Sequence, residues 1–152
     1  MSIEKDIHQA KDFRSVHHKA VVNLMYTHGW LAAQQAEVLK PFRLTPQQYN
    51  VLRILRGKAP EATTVNAIIE RMLDRMSNAS RLVDKLVAKG LASRTVCPND
   101  RRAVDVNITA AGMALLDELD ERQTHWERGL NTLDAEEAQQ LSHLLDKLRN
   151  SP

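Results

Sequence analysis

The sequence predicts a mainly α-helical protein with a small β-hairpin, and three features carry that prediction. Apolar residues recur at three- and four-residue steps over most of the chain, the spacing of helices that bury one face. That period gives way to strict alternation in one region, just after Gly90. Caps and breakers divide the remainder into helix-sized segments.

Residues 10–39 read as one long helix, with Phe13, Val16, Ala20, Leu24, Leu31 and Leu39 as its stripe and Val21 and Met25 widening it. Lys40-Pro41 ends it, because the residue before proline is pushed out of the helical region. Thr45-Pro46-Gln47-Gln48 is the next start signal. Threonine caps, proline fits the first helical position, and glutamine three residues on completes a capping box. Tyr49, Leu52 and Leu55 follow on one face, and Gly57 is expected to stop this helix in the left-handed region. Val65, Ile68, Ile69 and Met72 mark a short third helix capped by Thr63 or Thr64. Met76, Ala79, Leu82, Val83, Leu86 and Val87 mark a fourth, after a turn around Leu73-Asp74-Arg75, and Gly90 closes it.

Beyond Gly90, LASRTVC and AVDVNIT alternate, with Val104, Val106 and Ile108 on one face. They flank the turn-forming run PNDRR, so the pair reads as a hairpin with a charged tip. Thr109 caps another helix striped by Leu115, Leu116, Leu119, Trp126 and Leu130. Asp134 and Glu137 open the last, which presents Ala138, Leu141, Leu144, Leu145 and Leu148 for burial.

Two short helices joined by a tight turn and followed by a two-stranded hairpin make a winged helix-turn-helix. The flanking helices are too long and apolar for a core of that size to satisfy, so pairing with a second copy is expected. The organisation is therefore an N-terminal dimerisation helix (1–39), a winged lobe (40–112) and C-terminal dimerisation helices (113–152), intertwined as a single domain.

The chain has 152 residues, 43% of them hydrophobic and 26% charged, which suits a globular protein rather than a disordered one. No apolar stretch is long enough to cross a bilayer, and no secretory signal is visible. A single cysteine, Cys97, excludes an internal disulfide and a cysteine-built zinc site, so the expected compartment is the cytoplasm. Cys97 itself reads as a strand residue.

The overall charge of +2 hides a strong asymmetry. Residues 1–39 are neutral, residues 40–102 carry thirteen basic against five acidic side chains, and residues 103–152 are net −6. A basic middle segment suits a polyanion. Within it, the fourth helix sets Ser77, Asn78, Ser80, Arg81 and Lys85 opposite its apolar side. Asparagine can bond adenine, arginine can bond guanine, and small hydroxyls allow close approach. Asp84 interrupts this face late in the helix. At the hairpin tip, Asp100 is expected to orient one guanidinium of Arg101 and Arg102 while the other, Arg102, enters a minor groove.

The six aromatic residues avoid the interval 50–125, which disfavours the base-stacking surface of a single-strand binder and favours duplex DNA. No phosphate loop, nucleophile elbow or paired-carboxylate motif supports catalysis. The six histidines form no HxxxH pair, and His17 and His18 point to different sides of a helix. Neither a metal nor a cofactor is expected. The competing readings are a winged helix used only for protein contacts and a metal-responsive regulator using helix histidines.

The run across 44–112, including LTPQQYNVLRIL, SNASRLVDKLVAKGLASR and DRRAVDVNITAAG, resembles the MarR (multiple antibiotic resistance regulator) family of bacterial transcription factors. The resemblance implies a homodimer on a pseudo-palindromic operator, with Asp100 and Arg102 filling the family's Asp-x-Arg wing motif. It also implies a repressor released by a small aromatic or phenolic anion bound between the dimerisation helices and the lobe. His17, Met25 and Trp30 are the candidate pocket residues on the first helix. The chain departs from the family in two places: Leu73-Asp74-Arg75 lacks the glycine common in that turn, and there is no N-terminal cysteine of the kind used by peroxide sensors.

Overall fold

The computed structural model describes residues 2–97, 100–130 and 132–150, with the backbone alone described for residues 97 and 100–103. A short helix α1 (Ile3–Asp6) precedes the long helix α2 (Val16–Leu39). They are tied by an ion pair of 2.6 Å between Lys19 and Glu4. The long helix starts six residues later than the apolar pattern predicts. Ser15 accepts a hydrogen bond from the His18 N–H at 3.1 Å, and this cap fixes the start. Phe13 packs edge-on against His18 from outside the helix.

A 3-10 turn (Lys40–Phe42) leads to Arg43, which is left-handed with φ 55°. Helix α3 (Pro46–Arg56) then opens on the predicted capping box: the Gln48 N–H donates to Thr45 Oγ1 at 3.2 Å and the Thr45 N–H donates to Gln48 Oε1 at 3.1 Å. Gly57 is right-handed, with φ −68°, so the left-handed stop is corrected. The chain winds on past it, and the Ala59 N–H still reaches the Leu55 carbonyl.

The strand β1 (Thr63–Thr64) runs straight into helix α4 (Val65–Arg71), capped by Thr64. Helix α5 (Ala79–Ala88) follows, then β2 (Ala92–Cys97), β3 (Asp100–Ile108), α6 (Ala110–Arg128) and α7 (Ala135–Arg149). The sheet is antiparallel in the order β1-β3-β2. β1 leaves no trace in the sequence pattern, because two residues are too short to show a period. β3 includes Asp100, Arg101 and Arg102, the last three residues of the predicted tip run PNDRR. Val106, opposite Thr63 on one side and Arg94 on the other, is fully buried.

The core lies within the winged lobe. Leu52 and Leu55 of α3, Ile68 of α4, Val83 and Leu86 of α5, Val106, and Leu116 and Leu119 of α6 form one apolar cluster. Two glycines shape it. Gly90 ends α5 with φ 72°, a conformation that costs a side-chain-bearing residue about 1 kcal/mol. Gly112, in the first turn of α6, sits so close to the end of α5 that a Cβ would lie 2.3 Å from the Leu91 carbonyl oxygen.

Outside the lobe the pattern reverses. Val16 and Met25 of α2 and Leu141, Leu144 and Leu148 of α7 are exposed. Within one chain, therefore, the last helix does not bury the stripe expected of it.

Candidate nucleic-acid interface

The candidate face is built from the turn before α5. The fourth helix starts at Ala79 rather than at Met76, and Met76 stands in the turn, 95% exposed. The turn is held by side chains. Asn50 of α3 accepts from the Leu73 N–H at 3.0 Å. Asp74 accepts from the Met76 N–H at 3.0 Å and from the Ser77 hydroxyl at 2.7 Å. The Ser77 hydroxyl and the Met76 N–H hold the Asp74 carboxyl below its ordinary value. An aspartate can thus bring the chain round by local hydrogen bonding, which explains how this turn dispenses with glycine.

Asn78 is the N-cap of α5: its Oδ1 accepts from the Arg81 N–H at 3.0 Å. That bond occupies the amide oxygen and leaves the amide nitrogen as the group able to donate outward. Ala79, Val83 and Leu86 are buried, while Arg81 and Lys85 are exposed and Ser77 and Ser80 half-buried. The helix therefore keeps its apolar side in the lobe and its hydroxyl, amide and cationic groups toward the outer side. Asp84 does not stand alone on that face, because Arg94 of β2 pairs with it. The pair ties α5 to the hairpin. The side chains of Asp100, Arg101 and Arg102 lie outside the described residues; their backbones open β3.

Several cations of the basic segment serve other ends. Arg56 makes a two-pronged contact with Asp120 of α6, at 2.8 and 3.0 Å, and reaches Asp117 at 3.4 Å. Arg53 adds a 3.4 Å contact to Asp120 and donates to the Tyr49 hydroxyl at 3.0 Å. Arg56 holds the Asp120 carboxyl below the usual range. Lys89 donates to the Arg43 carbonyl and, at 3.2 Å, to Gln48 Oε1, and partial burial lowers its pKa. These residues join α3 to α6 and to the end of α5. In the sequence these residues read only as charge; the signal for their structural role is the pairing of Arg53 and Arg56 with Asp117 and Asp120 at helical spacing.

His17, Met25 and Trp30 all stand exposed on α2. A cleft of about 480 Å³ lies elsewhere, between the end of α2 and the second half of α6. Glu37, Val38, Glu121, Arg122, His125 and Trp126 line it. Trp126 is fixed by donating its indole N–H to Gln34 at 3.1 Å, and Arg122 lies over the Phe42 ring at 5.2 Å. Among the described residues no group of three or more His, Cys, Asp or Glu is placed to hold a metal ion, and no helix is long and apolar enough to cross a membrane.

Comparison with known proteins places this architecture. The MarR family model matches residues 44–103. The chain is 31% identical to the multiple antibiotic resistance protein MarR of Escherichia coli K12 over 115 residues, covering 74% of this chain and 78% of that protein. The chain belongs to the MarR family. This MarR-family chain is similar across 89% of its length to a MarR transcription factor from Planctomyces limnophilus, at 38% identity and a TM-score of 0.68, covering 98% of that structure. It is also similar to MepR of S. aureus in a structure of the MepR–DNA complex, at 25% identity and a TM-score of 0.75, covering 86% of this chain and 96% of that one. MarR-family proteins are transcription factors, not enzymes, and this chain is a DNA-binding transcriptional regulator of that family.

Proposed function

We propose that the chain acts as a homodimeric repressor, with two winged lobes on successive major grooves of a pseudo-palindromic operator and release by a small aromatic or phenolic anion. The observation that carries the DNA reading is the outer side of α5, where Asn78, Arg81 and Lys85 project beyond a turn fixed by Asn50 and Asp74. Ser77 and Ser80 allow close approach there, and at the wing Arg102 enters the minor groove while Asp100 holds the guanidinium of Arg101. The relative bound to DNA, MepR, supports the same mode of docking.

Pairing is supported by area. One chain exposes 11317 Å², whereas a compact monomer of this mass exposes roughly 7,800 Å². Exposed apolar residues line α2 (Val16, Leu24, Met25, Trp30) and α7 (Leu141, Leu144, Leu148), and a second copy would cover both. The units are then the N-terminal helix 1–39, the lobe 40–112 and the helices 113–152. The effector reading is supported by the cleft beside Trp126, which offers an aromatic wall with Arg122 and His125 able to meet an anion, in a lining that also holds the carboxylates of Glu37 and Glu121. Its volume is in the range of small-molecule sites. His17, Met25 and Trp30 do not line it.

The test is selection of bound duplexes from a random pool, with and without a panel of benzoic and phenolic acids. Enrichment of a two-fold site with half-sites about one helical turn apart is expected, as is its loss with one of the acids. Arg102→Ala is expected to weaken binding without changing dimerisation, and Arg81→Ala to relax base preference as well as affinity. No enriched duplex would overturn the DNA reading, and indifference to every acid would overturn the effector reading.

A further inference from the structure

The turn before the recognition helix holds its apolar side chains in an unusual way. Leu73 and Met76 are 90% and 95% exposed, yet the backbone that carries them is pinned. The Leu73 N–H is held by Asn50, the Met76 N–H by Asp74, and Ser77 is bonded to Asp74 through both its hydroxyl and its N–H. Met72, next to Leu73, is buried in the core. A turn so fixed presents Leu73 and Met76 to solvent in the folded chain.

Their position narrows the occupant. Met76 stands two residues before the N-cap of α5 and beside Ser77 and Asn78, at the end of the helix that leads into a major groove. Arg75 and Arg81, both exposed, flank it with positive charge, which suits a polyanion and disfavours a basic or a purely apolar protein surface. The major groove presents one apolar group at a base edge, the C5 methyl of thymine. Methionine is unbranched and adaptable, suited to cover a small apolar projection.

We propose that Met76, with Leu73 beside it, is a specificity-determining residue that packs on a thymine methyl in each half-site. This rests on the DNA-binding reading above and adds a base identity to it. The polar groups of α5 then read hydrogen-bonding edges, while the turn reads a methyl.

The experiment uses the full chain and the duplex it enriches from a random pool. Each thymine is replaced singly by deoxyuridine, which pairs identically but lacks the methyl. For the parent, at least one replacement per half-site is expected to weaken binding about fourfold, the loss matched to one buried methyl group. Met76→Ala is expected to bind the thymine duplex about as weakly as the parent binds the uracil duplex, and to be indifferent to that same replacement. Met76→Leu is expected to restore the preference for thymine. Because Met76 is exposed, folding is not at stake, and thermal melting of each variant is followed alongside. A Met76→Ala chain that keeps the parent's full discrimination at every position overturns the inference, as does a parent indifferent to uracil throughout. A parent that enriches no duplex overturns the DNA reading and this inference with it, so the two failures are distinguishable.

Discussion

Asn78 does two things with one amide. Its oxygen caps α5 through the Arg81 N–H, and in the proposed DNA complex its nitrogen is the group left to donate to a base or a phosphate. The two roles separate by substitution. Asn78→Ala removes the cap and is expected to cost about 1 kcal/mol, lowering the melting temperature by about 3 °C. Asn78→Asp keeps a capping oxygen, so stability should hold, but it sets a carboxylate toward the DNA and should abolish duplex binding. Thermal melting and duplex titration of the two variants check this; a normally binding aspartate variant would contradict it. Gly112 is the second residue with a sharp expectation. A Cβ there would lie 2.3 Å from the Leu91 carbonyl oxygen and 2.7 Å from the Ile108 side chain. Gly112→Ala should therefore destabilise by roughly 3 kcal/mol, the upper range for overpacking, as measured by urea unfolding.

At the scale of elements, α6 is the member shared between the lobe and the flanking helices. Leu116 and Leu119 belong to the lobe core, whereas Trp126 reaches Gln34 of α2. Between them the Arg56–Asp120 contact fixes how α6 leaves α3. Its pH dependence has a definite sign. The folded-state pKa of Asp120 is depressed by Arg56, so its stabilising contribution is complete above the unfolded aspartate value of about 4 and fades as pH falls through the lowered folded value. Asp120→Asn should melt below the parent at neutral pH, and the gap should close as pH falls below the unfolded aspartate value of about 4 and through the lowered folded one. A gap independent of pH would contradict the assignment.

These elements also show how far the sequence can be read. The capping box at Thr45, the Gly90 stop, the hairpin and the Thr109 and Asp134 caps were legible because each depends on a few adjacent residues. The start of α2, the pairing of β1 and the right-handed Gly57 were not, since a hidden cap, a distant strand and the continued winding of the chain decide them. The polar side of α5 was legible from spacing. The diversion of Arg53, Arg56 and Lys89 into joints between helices was not, because it depends on what α3 faces in three dimensions.

For the whole molecule, the exposed apolar residues of α2 and α7 are the surfaces that the proposed two-fold partner would cover. Leu144→Glu, on the exposed side of α7, should shift the chain toward monomer and weaken duplex binding, while leaving the lobe core untouched. Sedimentation reads the first effect and titration the second. The central claim is that a paired molecule sets two recognition helices against one duplex. Its most direct measurement is titration of an enriched duplex at several salt concentrations, with the mass of the complex determined by sedimentation. The account predicts two chains per duplex and an affinity that falls linearly on a log–log plot against salt, with a slope of several released counterions. One chain per duplex, or binding indifferent to salt, would contradict it.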